Sequence, residues 1–326
     1  MFATKKTKIM DTRMKELEKS LNTSLKNCDS ERQGRIRAQK ALRDSLTKPH
    51  LESPGKNLFP MIPVGVVNSC FSTRNGTPRQ PLLVPMARAR LVFDVSRVPP
   101  ASLDGFKDYS HCWIIYVFHL NTDLDKLWKE PSRAKIKAKV RVPKLKGERM
   151  GLFATRSPHR PCPIGLTVAK VEEVNENCVL LSGVDLVDGT PVLDIKPYLP
   201  YCDAIQGAKV PKWVLDDDML AVSSVSFAEN FSSSLLDCWN PSRNSLYSSA
   251  DEIQMLVKQV LSWDIRSISQ RNKAHSNDVS NCDTHLGSAR CSREKDVLYY
   301  LVVEGIKVSY FIRDNGDVIV EKAVHS

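Results

Sequence analysis

The 326-residue sequence lacks the short motifs that hold nucleotide phosphates or activate common catalytic nucleophiles. GxGxxG and GxxxxGK(S/T) are both missing, which argues against a Rossmann dinucleotide site and a P-loop. The GxSxG elbow and the HExxH pair are missing as well. No apolar run approaches the ~18 residues of a membrane-spanning helix, and the chain opens without the apolar segment of a secretory signal. We therefore expect a cytoplasmic protein with no membrane span.

Cysteine is present, but not in a pattern that indicates disulfides or zinc. The nine cysteines are scattered, and no two of them form a CxxC pair. Several lie in apolar stretches, which is typical of reduced thiols in an intracellular protein. The nearest approach to a metal-binding set is Cys282, His285 and Cys291 in a polar segment, and we expect no metal there.

Positive charge is concentrated at the start of the chain. Residues 1–50 carry +7 of the net +10, and such a basic arm suits either phosphate binding or simple solvation of a charged helix. An apolar stripe at steps of three and four predicts a basic amphipathic helix with coiled-coil character, interrupted at Gly34. The stripe consists of Met10, Met14, Leu17, Leu21, Leu25 and Cys28. We interpret 1–55 as this helix plus a linker at Ser53-Pro54-Gly55.

The middle of the chain reads as β-structure. Short runs rich in Val, Ile and Leu recur between turn residues over 56–205, and no long helical pattern separates them. AKIKAKVRV (134–142) alternates strictly, which predicts a strand with one buried and one basic face. The fold class expected is therefore mainly β, with a compact single-sheet barrel of about six or seven strands.

A small α+β domain is predicted over 206–326. VSSVSFAENF reads as a strand, and Ser249 with Glu252 forms a capping box. One helical face then follows, made of Ile253, Leu256, Val257, Val260 and Leu261. Residues 273–296 are polar and predicted to be a mobile loop. Two apolar strands after this loop are joined by Asp314-Asn315-Gly316, a hairpin signal.

Three polar segments interrupt the β-pattern and are the candidates for chemistry. The first, 74–81, is stiffened by Asn-Gly and two prolines, although for this segment alone a plain surface turn is the favoured interpretation. The second, 151–166, carries two arginines, one histidine and three prolines within eight positions, a density that favours an anion site. In the third, 185–198, Asp188-Gly189 indicates a hairpin turn, and Asp194 and Lys196 share one strand face beside Tyr198. A simple ion pair is the alternative there.

These segments resemble a known family. NGTPRQP, SHCWIIYVFH, GLFATRSPHRPCPIGLT and DGTPVLDIKPYLPYCD occur in the order found in the TsaA-like (YaeB/TrmO) family, and the resemblance is close over about 59–205. It implies a β-barrel methyltransferase that uses S-adenosylmethionine to methylate N6 of N6-threonylcarbamoyladenosine at position 37 of threonine tRNA. It also implies a homodimer.

The resemblance assigns cofactor contacts residue by residue. They fall on Pro78, Arg79, Gln80, His119, Leu120, Arg156, Leu166, Leu186, Val187, Asp188 and Gly189. Two positions depart from the family pattern. Cys162 replaces an asparagine, and Leu120 stands where a polar residue is common, so that the contact at Leu120 would be made by the backbone.

For the reaction itself, we expect Asp194, with Lys196 and Tyr198 beside it, to orient or deprotonate the target nitrogen. Candidate phosphate contacts on the tRNA are Arg160, Lys135, Lys137, Lys139 and Arg141. The N-terminal helix is a possible site for a protein partner. The alternative to an enzyme is a non-catalytic barrel that binds RNA or senses adenosylmethionine.

Overall fold

The computed structural model describes residues 2–46, 61–121, 123–124, 137–145, 148–215, 221–239, 245–266, 297–313 and 315–326. The chain divides into two compact units, Met1–Pro60 and Met61–Ser326. The linker at 53–55, the segment 273–296, Lys135, Asp314 and the set Cys282, His285 and Cys291 lie outside the described residues.

The first unit contains one helix, α1 (Phe2–Leu46). The expected interruption at Gly34 is wrong, since the helix runs through it. A single glycine costs a helix only about 1 kcal/mol relative to alanine, which the good helix formers on either side offset. Along the apolar stripe, Met14, Leu17, Leu21 and Leu25 are all exposed within this unit.

The second unit begins with a closed, antiparallel, six-stranded barrel, which confirms the predicted fold class. Its strand order is β1-β2-β7-β6-β3-β8, and β8 pairs with β1 to close it. The strands are β1 (Gly65–Ser69), β2 (Arg88–Phe93), β3 (His111–Val117), β6 (Ile164–Val174), β7 (Cys178–Ser182) and β8 (Thr190–Pro197).

Alternation along the strands fills the barrel. In β2, Ala89, Leu91 and Phe93 point inward, whereas Arg88 and Arg90 face outward. Two thiols are buried, Cys112 on the inward face of β3 and Cys70 just after β1 beside Tyr247. Burial raises the pKa of each to about 12, so that neither is a nucleophile near neutral pH. All seven cysteines that the structure describes are free of disulfides.

Of the predicted strand at 134–142, residues 134–136 lie outside the described residues, and only part of the rest is a strand. β4 (Lys139–Arg141) is a three-residue strand that pairs with β5 (Arg149–Gly151) in a separate two-stranded ribbon outside the barrel sheet. Its exposed basic face is present, and Val140 on the other face is only partly buried. Alternation predicted the exposed basic face correctly, whereas the buried face is only partly formed, because a two-stranded ribbon buries little apolar surface.

The Asp188-Gly189 turn does not form the predicted hairpin. Gly189 has a left-handed φ of +74°, as the turn requires, but the strands on either side, β7 and β8, are not neighbours in the barrel. The turn instead leads the chain across the barrel end into β8. The short helices α2 (Pro200–Asp203) and α3 (Lys212–Leu215) follow.

The C-terminal part has the predicted α+β character. A four-stranded sheet of order β10-β11-β12-β9 packs against α4 (Phe231–Cys238) and α5 (Ala250–Leu261). Its strands are β9 (Ser224–Phe227), β10 (Tyr299–Val303), β11 (Ile306–Ile312) and β12 (Asp317–His325). The Ser249 hydroxyl accepts from the Glu252 backbone N–H at 3.2 Å, and all five predicted face residues of α5 are buried.

Barrel and C-terminal part are joined by a polar cluster. The Arg88 guanidinium forms a two-pronged ion pair with Glu252 at 2.8 and 3.0 Å, and this bond lowers the pKa of Glu252 to about 2. The Tyr247 hydroxyl donates to Met86 O at 2.7 Å and accepts from Arg88 N at 3.1 Å. The segment between β1 and β2 is therefore held from the C-terminal side. No helix among the described residues is long and apolar enough to cross a bilayer.

Closure of the barrel generates a stability prediction at Gly165. A Cβ built there would lie 2.2 Å from the Tyr116 ring inside the barrel, whereas at Gly151 nothing lies within 4 Å. Gly165→Ala should therefore lower the free energy of unfolding by at least about 2 kcal/mol through overpacking. Gly151→Ala should change it by less than about 0.5 kcal/mol. Urea unfolding followed by circular dichroism measures both, and equal stabilities would contradict the proposed packing.

Candidate active site

Parts of all three polar segments meet at one end of the barrel. This end is defined by the last residue of β1, the last residue of β3 and the first residue of β8, namely Ser69, Val117 and Thr190. Antiparallel pairing brings these positions together although they are distant in sequence. The structure thus collects most of the predicted cofactor residues around one opening.

The turn Leu186–Gly189 forms a rigid part of this opening. The Asp188 carboxylate accepts from Ser69 N at 2.9 Å, and the Ser69 hydroxyl donates to Leu186 O at 2.7 Å. Gly189 N donates to Val67 O at 2.8 Å. The Asp188 side chain is therefore committed to holding the turn against β1, and the turn offers its backbone rather than a mobile side chain.

His119 lies beside the turn. Its Nε2 is 3.8 Å from the position that a Cβ on Gly189 would take, so glycine leaves room for the imidazole. Partial burial lowers the pKa of His119, although hydrogen bonds between its ring and the backbone carbonyls of Val117 and Asp188 act in the opposite direction. The neighbouring Leu120 side chain is exposed.

The first and second segments contact each other directly. Arg156 donates from Nη1 to Gln80 Oε1 at 2.7 Å. Pro78 and Gln80 are partly buried, whereas Arg79 and Arg156 are exposed. The exposed guanidinium of Arg156 and the Gln80 amide are a donor set that fits a carboxylate or a ribose hydroxyl.

The loop that carries Pro78–Gln80 is held by the C-terminal part. Arg79 donates to Arg266 O at 3.0 Å, and the Trp263 indole donates to Leu83 O at 3.3 Å. Gly76 adopts φ +93°, and a Cβ there would lie 2.2 Å from the Leu301 side chain. These contacts were not predicted, since nothing in the sequence pairs the loop with residues that follow nearly 190 positions later.

Leu166 and Asp194 lie on the outer wall below the opening. Both pair with Ile115, so the three residues form one row across β6, β3 and β8. A β-bulge between Ile115 and Tyr116 reverses the faces of β8: Val192 points inward, and Asp194, two positions on, points outward. Leu166 is 58% exposed, an apolar side chain left open next to the site.

Asp194 and Lys196 form an ion pair on this wall, and Tyr198 lies further along it, beside His111 and Trp113. Lys196 Nζ lies 2.7 Å from Asp194 Oδ2, and the Asp194 side chain is 48% exposed. The Tyr198 ring packs on Trp113 with centroids 5.5 Å apart, and the Trp113 indole donates to Asp203 at 2.8 Å. The carboxylate is thus ion-paired but accessible from solvent.

Sequence reasoning missed Asp185. The hydroxyl of Thr167, which is buried, donates to Asp185 Oδ1 at 2.6 Å. Burial raises the pKa of Asp185 to about 6, and the Thr167 hydrogen bond and the Arg156 charge only partly offset that effect. In the sequence, Asp185 stands directly before the Leu186–Gly189 turn. An aspartate at such a place is typical of a turn, so nothing in the sequence indicates its burial.

The basic candidates occupy the ribbon and the second segment. Lys137, Lys139 and Arg141 are exposed along and before β4, and Arg160 is partly buried. Cys162, one of the departures from the family pattern, is exposed. No cluster of metal-binding side chains occurs in the described ranges.

Comparison with known proteins gives consistent results. The family model of the tRNA-methyltransferase O N-terminal domain matches residues 66–204. A human tRNA (adenine(37)-N6)-methyltransferase is 47% identical over 151 residues, which is 46% of this chain and 32% of that protein. A putative S-adenosylmethionine-dependent methyltransferase of Pseudomonas aeruginosa is 43% identical over 152 residues, 45% of this chain and 60% of that protein. The chain thus matches about a third of the human protein.

Two other matches cover most of the length of the related protein. The Escherichia coli tRNA (adenine(37)-N6)-methyltransferase is 33% identical over 208 residues, 62% of this chain and 80% of that protein. A crystal structure of TrmO aligns with a TM-score of 0.55 and 25% identity, covering 82% of this chain and 99% of that chain. The alignment extends beyond the barrel and therefore includes C-terminal residues.

The environment of Asp185 predicts an unusual pH dependence of stability. Its pKa is raised in the folded protein, so folding favours the protonated form, and stability should fall as pH rises from about 4 to above 6. Asp185→Asn keeps an acceptor for Thr167 and removes the charge. We expect the variant to be more stable than the wild type by about 1–3 kcal/mol at pH 8, with little difference at pH 4.

The matched control is Asp203→Asn. Hydrogen bonds from Leu199 N and Trp113 lower the pKa of Asp203, so its charge is favoured on folding and the substitution should destabilise at pH 8. Urea unfolding at both pH values measures the two variants. If Asp185→Asn lost stability at pH 8, the charged carboxylate of Asp185 would stabilise the fold, which would contradict this prediction.

Proposed function

Because the chain belongs to the tRNA-methyltransferase O family, we propose that it uses S-adenosylmethionine to methylate N6 of adenosine 37 in tRNA, next to the anticodon. The observation that carries this proposal is the 2.7 Å hydrogen bond between Arg156 and Gln80. This hydrogen bond joins segments 74–81 and 151–166 at the barrel end. The Leu186–Gly189 turn, which belongs to segment 185–198, lies at the same end. The relatives' names supply the reaction and the donor.

The finer proposal is that the substrate base is N6-threonylcarbamoyladenosine in threonine tRNA and that the protein acts as a homodimer. The motif resemblance supports both statements. The exposed stripe of α1 adds a proposed surface for a further protein partner. A basic helix of this kind would also contribute affinity for tRNA that salt weakens.

The residues at the opening fit S-adenosylmethionine. Arg156 and Gln80 would bind its polar groups, and the Leu186–Gly189 turn offers backbone groups at a fixed position. Exposed Leu166, together with the backbone at His119 and Leu120, would pack against its apolar parts. When bound, the sulfonium supplies an electrophilic methyl group. The task of these side chains is to hold the donor in line with the base, and positioning of this kind contributes several kcal/mol.

Asp194 is the proposed acceptor of the N6 proton. The nitrogen of a threonylcarbamoyl adduct is urea-like and poorly nucleophilic, so proton loss favours its attack on the methyl group. The Asp194 carboxylate would take the N6 proton as the N6–C bond forms, and the electron pair of the broken S–C bond would remain on sulfur. Lys196, 2.7 Å away, would orient the Asp194 carboxylate, with Tyr198 packed on Trp113 further along the same wall.

The first test is methyl transfer itself. Purified protein is incubated with labelled S-adenosylmethionine and total tRNA, with and without the threonylcarbamoyl modification, and the nucleosides are then digested and identified. We expect label only on modified adenosine. Cofactor binding without transfer would favour the non-catalytic RNA-binding or adenosylmethionine-sensing barrel, and absence of binding would refute the enzyme proposal.

The second test concerns the proton acceptor. Asp194→Asn should lower kcat by about 100-fold or more without changing cofactor affinity, since the carboxylate acts in the chemical step. Asp237→Asn, which removes an exposed carboxylate on α4, should have wild-type kinetics. Single-turnover kinetics and calorimetric titration of S-adenosylmethionine measure the two effects. Near-normal turnover in Asp194→Asn would remove its proposed role.

A further inference from the structure

A cationic surface with one exposed aromatic side chain lies beside the opening. We call it the Phe153 platform and define it by Lys139, Arg141, Arg149, Phe153 and Arg160. The first three belong to the β4–β5 ribbon, and Phe153 follows β5 by two residues in a 3-10 turn. A hydrogen bond from Leu152 N to Ala138 O at 3.0 Å continues the ribbon up to that turn.

The ribbon concentrates charge of one sign. Arg141 pairs directly with Arg149 across the two strands, and Lys139 lies on the same face. Like charges placed opposite each other destabilise a strand pair, so an anion bound between them would relieve a cost already present in the fold. The side chains of these three residues make no hydrogen bond or ion pair with any residue that the structure describes.

Acidic residues are scarce around this face. The described residues between 137 and 166 include seven cations and one acid, Glu148. The cations are Lys137, Lys139, Arg141, Lys144, Arg149, Arg156 and Arg160. A surface of this charge selects a polyanion and disfavours an acid-poor or basic partner.

Phe153 is held in an orientation suited to stacking. Its side chain is 76% exposed, and the Arg160 guanidinium lies over the ring at 5.3 Å from the centroid. Arg160 is itself fixed, since it donates to Thr155 O at 2.8 Å. The guanidinium thus covers one side of the ring, and the large exposed fraction leaves the rest available to solvent.

The segment that carries the platform is stiffened. Thr155 N donates to Leu152 O at 3.2 Å and the Thr155 hydroxyl to the same oxygen at 2.8 Å, which closes the turn after Phe153. Three prolines follow between 158 and 163. A rigid aromatic loses little conformational freedom when a ligand stacks on it.

We propose that Phe153 stacks with an unpaired base of the anticodon loop, while Lys139, Arg141 and Arg149 bind the adjoining phosphates. This assignment rests on the proposed function and specifies how its substrate is recognised. Aromatic rings flanked by cations are the common means of binding single-stranded RNA, because bases stack on the ring and the backbone follows the charge. A protein partner that lacks acidic side chains at this position would leave Lys139, Arg141 and Arg149 unpaired at its interface, which is unfavourable.

The test measures binding of a fluorescently labelled anticodon stem-loop by anisotropy. Phe153→Ala and Phe153→Leu should each weaken binding by about ten-fold, whereas Phe153→Trp should bind within about two-fold of the wild type. The leucine variant separates stacking from general apolar contact. Affinity for S-adenosylmethionine, measured by calorimetry, should be the same in all of them.

Tyr300→Ala is the matched control. Tyr300 is 49% exposed and carries the Lys307 amino group over its ring at 4.1 Å, so it is a second aromatic–cation pair, placed on the C-terminal sheet. We expect its anticodon stem-loop affinity to be unchanged. Arg141→Gln with Arg149→Gln should reduce the steepness of the salt dependence of binding by up to about two ion equivalents.

The outcomes separate this inference from the function on which it rests. Failure of the wild type to bind the stem-loop would refute the proposed function. Normal wild-type binding that Phe153→Leu and Phe153→Ala leave unchanged would refute the platform alone. A change of molecular mass in Phe153→Ala, measured by light scattering, would also overturn it, since the ring would then belong to an interface between copies of the chain.

Discussion

Pairing of β8 with β1 closes the barrel, and the arrangement of the site depends on that closure. It brings Ser69 next to Asp188, 119 positions apart in sequence, and thereby fixes the Leu186–Gly189 turn at the barrel end. The same closed sheet places Leu166, Ile115 and Asp194 in one row on the outer wall. An open sheet with the same strands would hold neither the turn nor the row at a constant distance from Arg156.

The C-terminal part acts on the same site through the loop before β2. The loop forms hydrogen bonds with C-terminal residues at Arg79, Leu83 and Met86. It is therefore held by the C-terminal part as well as by the barrel. The Arg88–Glu252 pair and Tyr247 add polar bonds at the root of that loop. The polar groups at the opening are therefore positioned by two layers of the fold rather than by the barrel alone.

Much of the architecture follows from short-range sequence pattern. Short runs rich in Val, Ile and Leu predict barrel strands such as β2 and β6, and the α5 stripe predicts its buried face. What depends on long-range geometry does not follow from such patterns. The orientation of Asp194 depends on a bulge opposite Ile115, and the pKa of Asp185 depends on its burial beside Thr167. Gly34 shows the reverse, a local signal that its helical neighbours override.

The parallel pairing of β9 with β12 has a consequence for the order in which the molecule is assembled. Ser224 and Asp317 are 93 residues apart, and β12 lies between β11 and β9 in the sheet. At ordinary translation speeds of about 5–20 residues per second, β9 waits roughly 5–20 s for its neighbour, long after all six barrel strands have emerged. The loop that bears Arg79 therefore gains its hydrogen bonds with Gln259, Trp263 and Arg266 only after the barrel strands have emerged. A nascent chain would possess a finished barrel before it possesses a finished site.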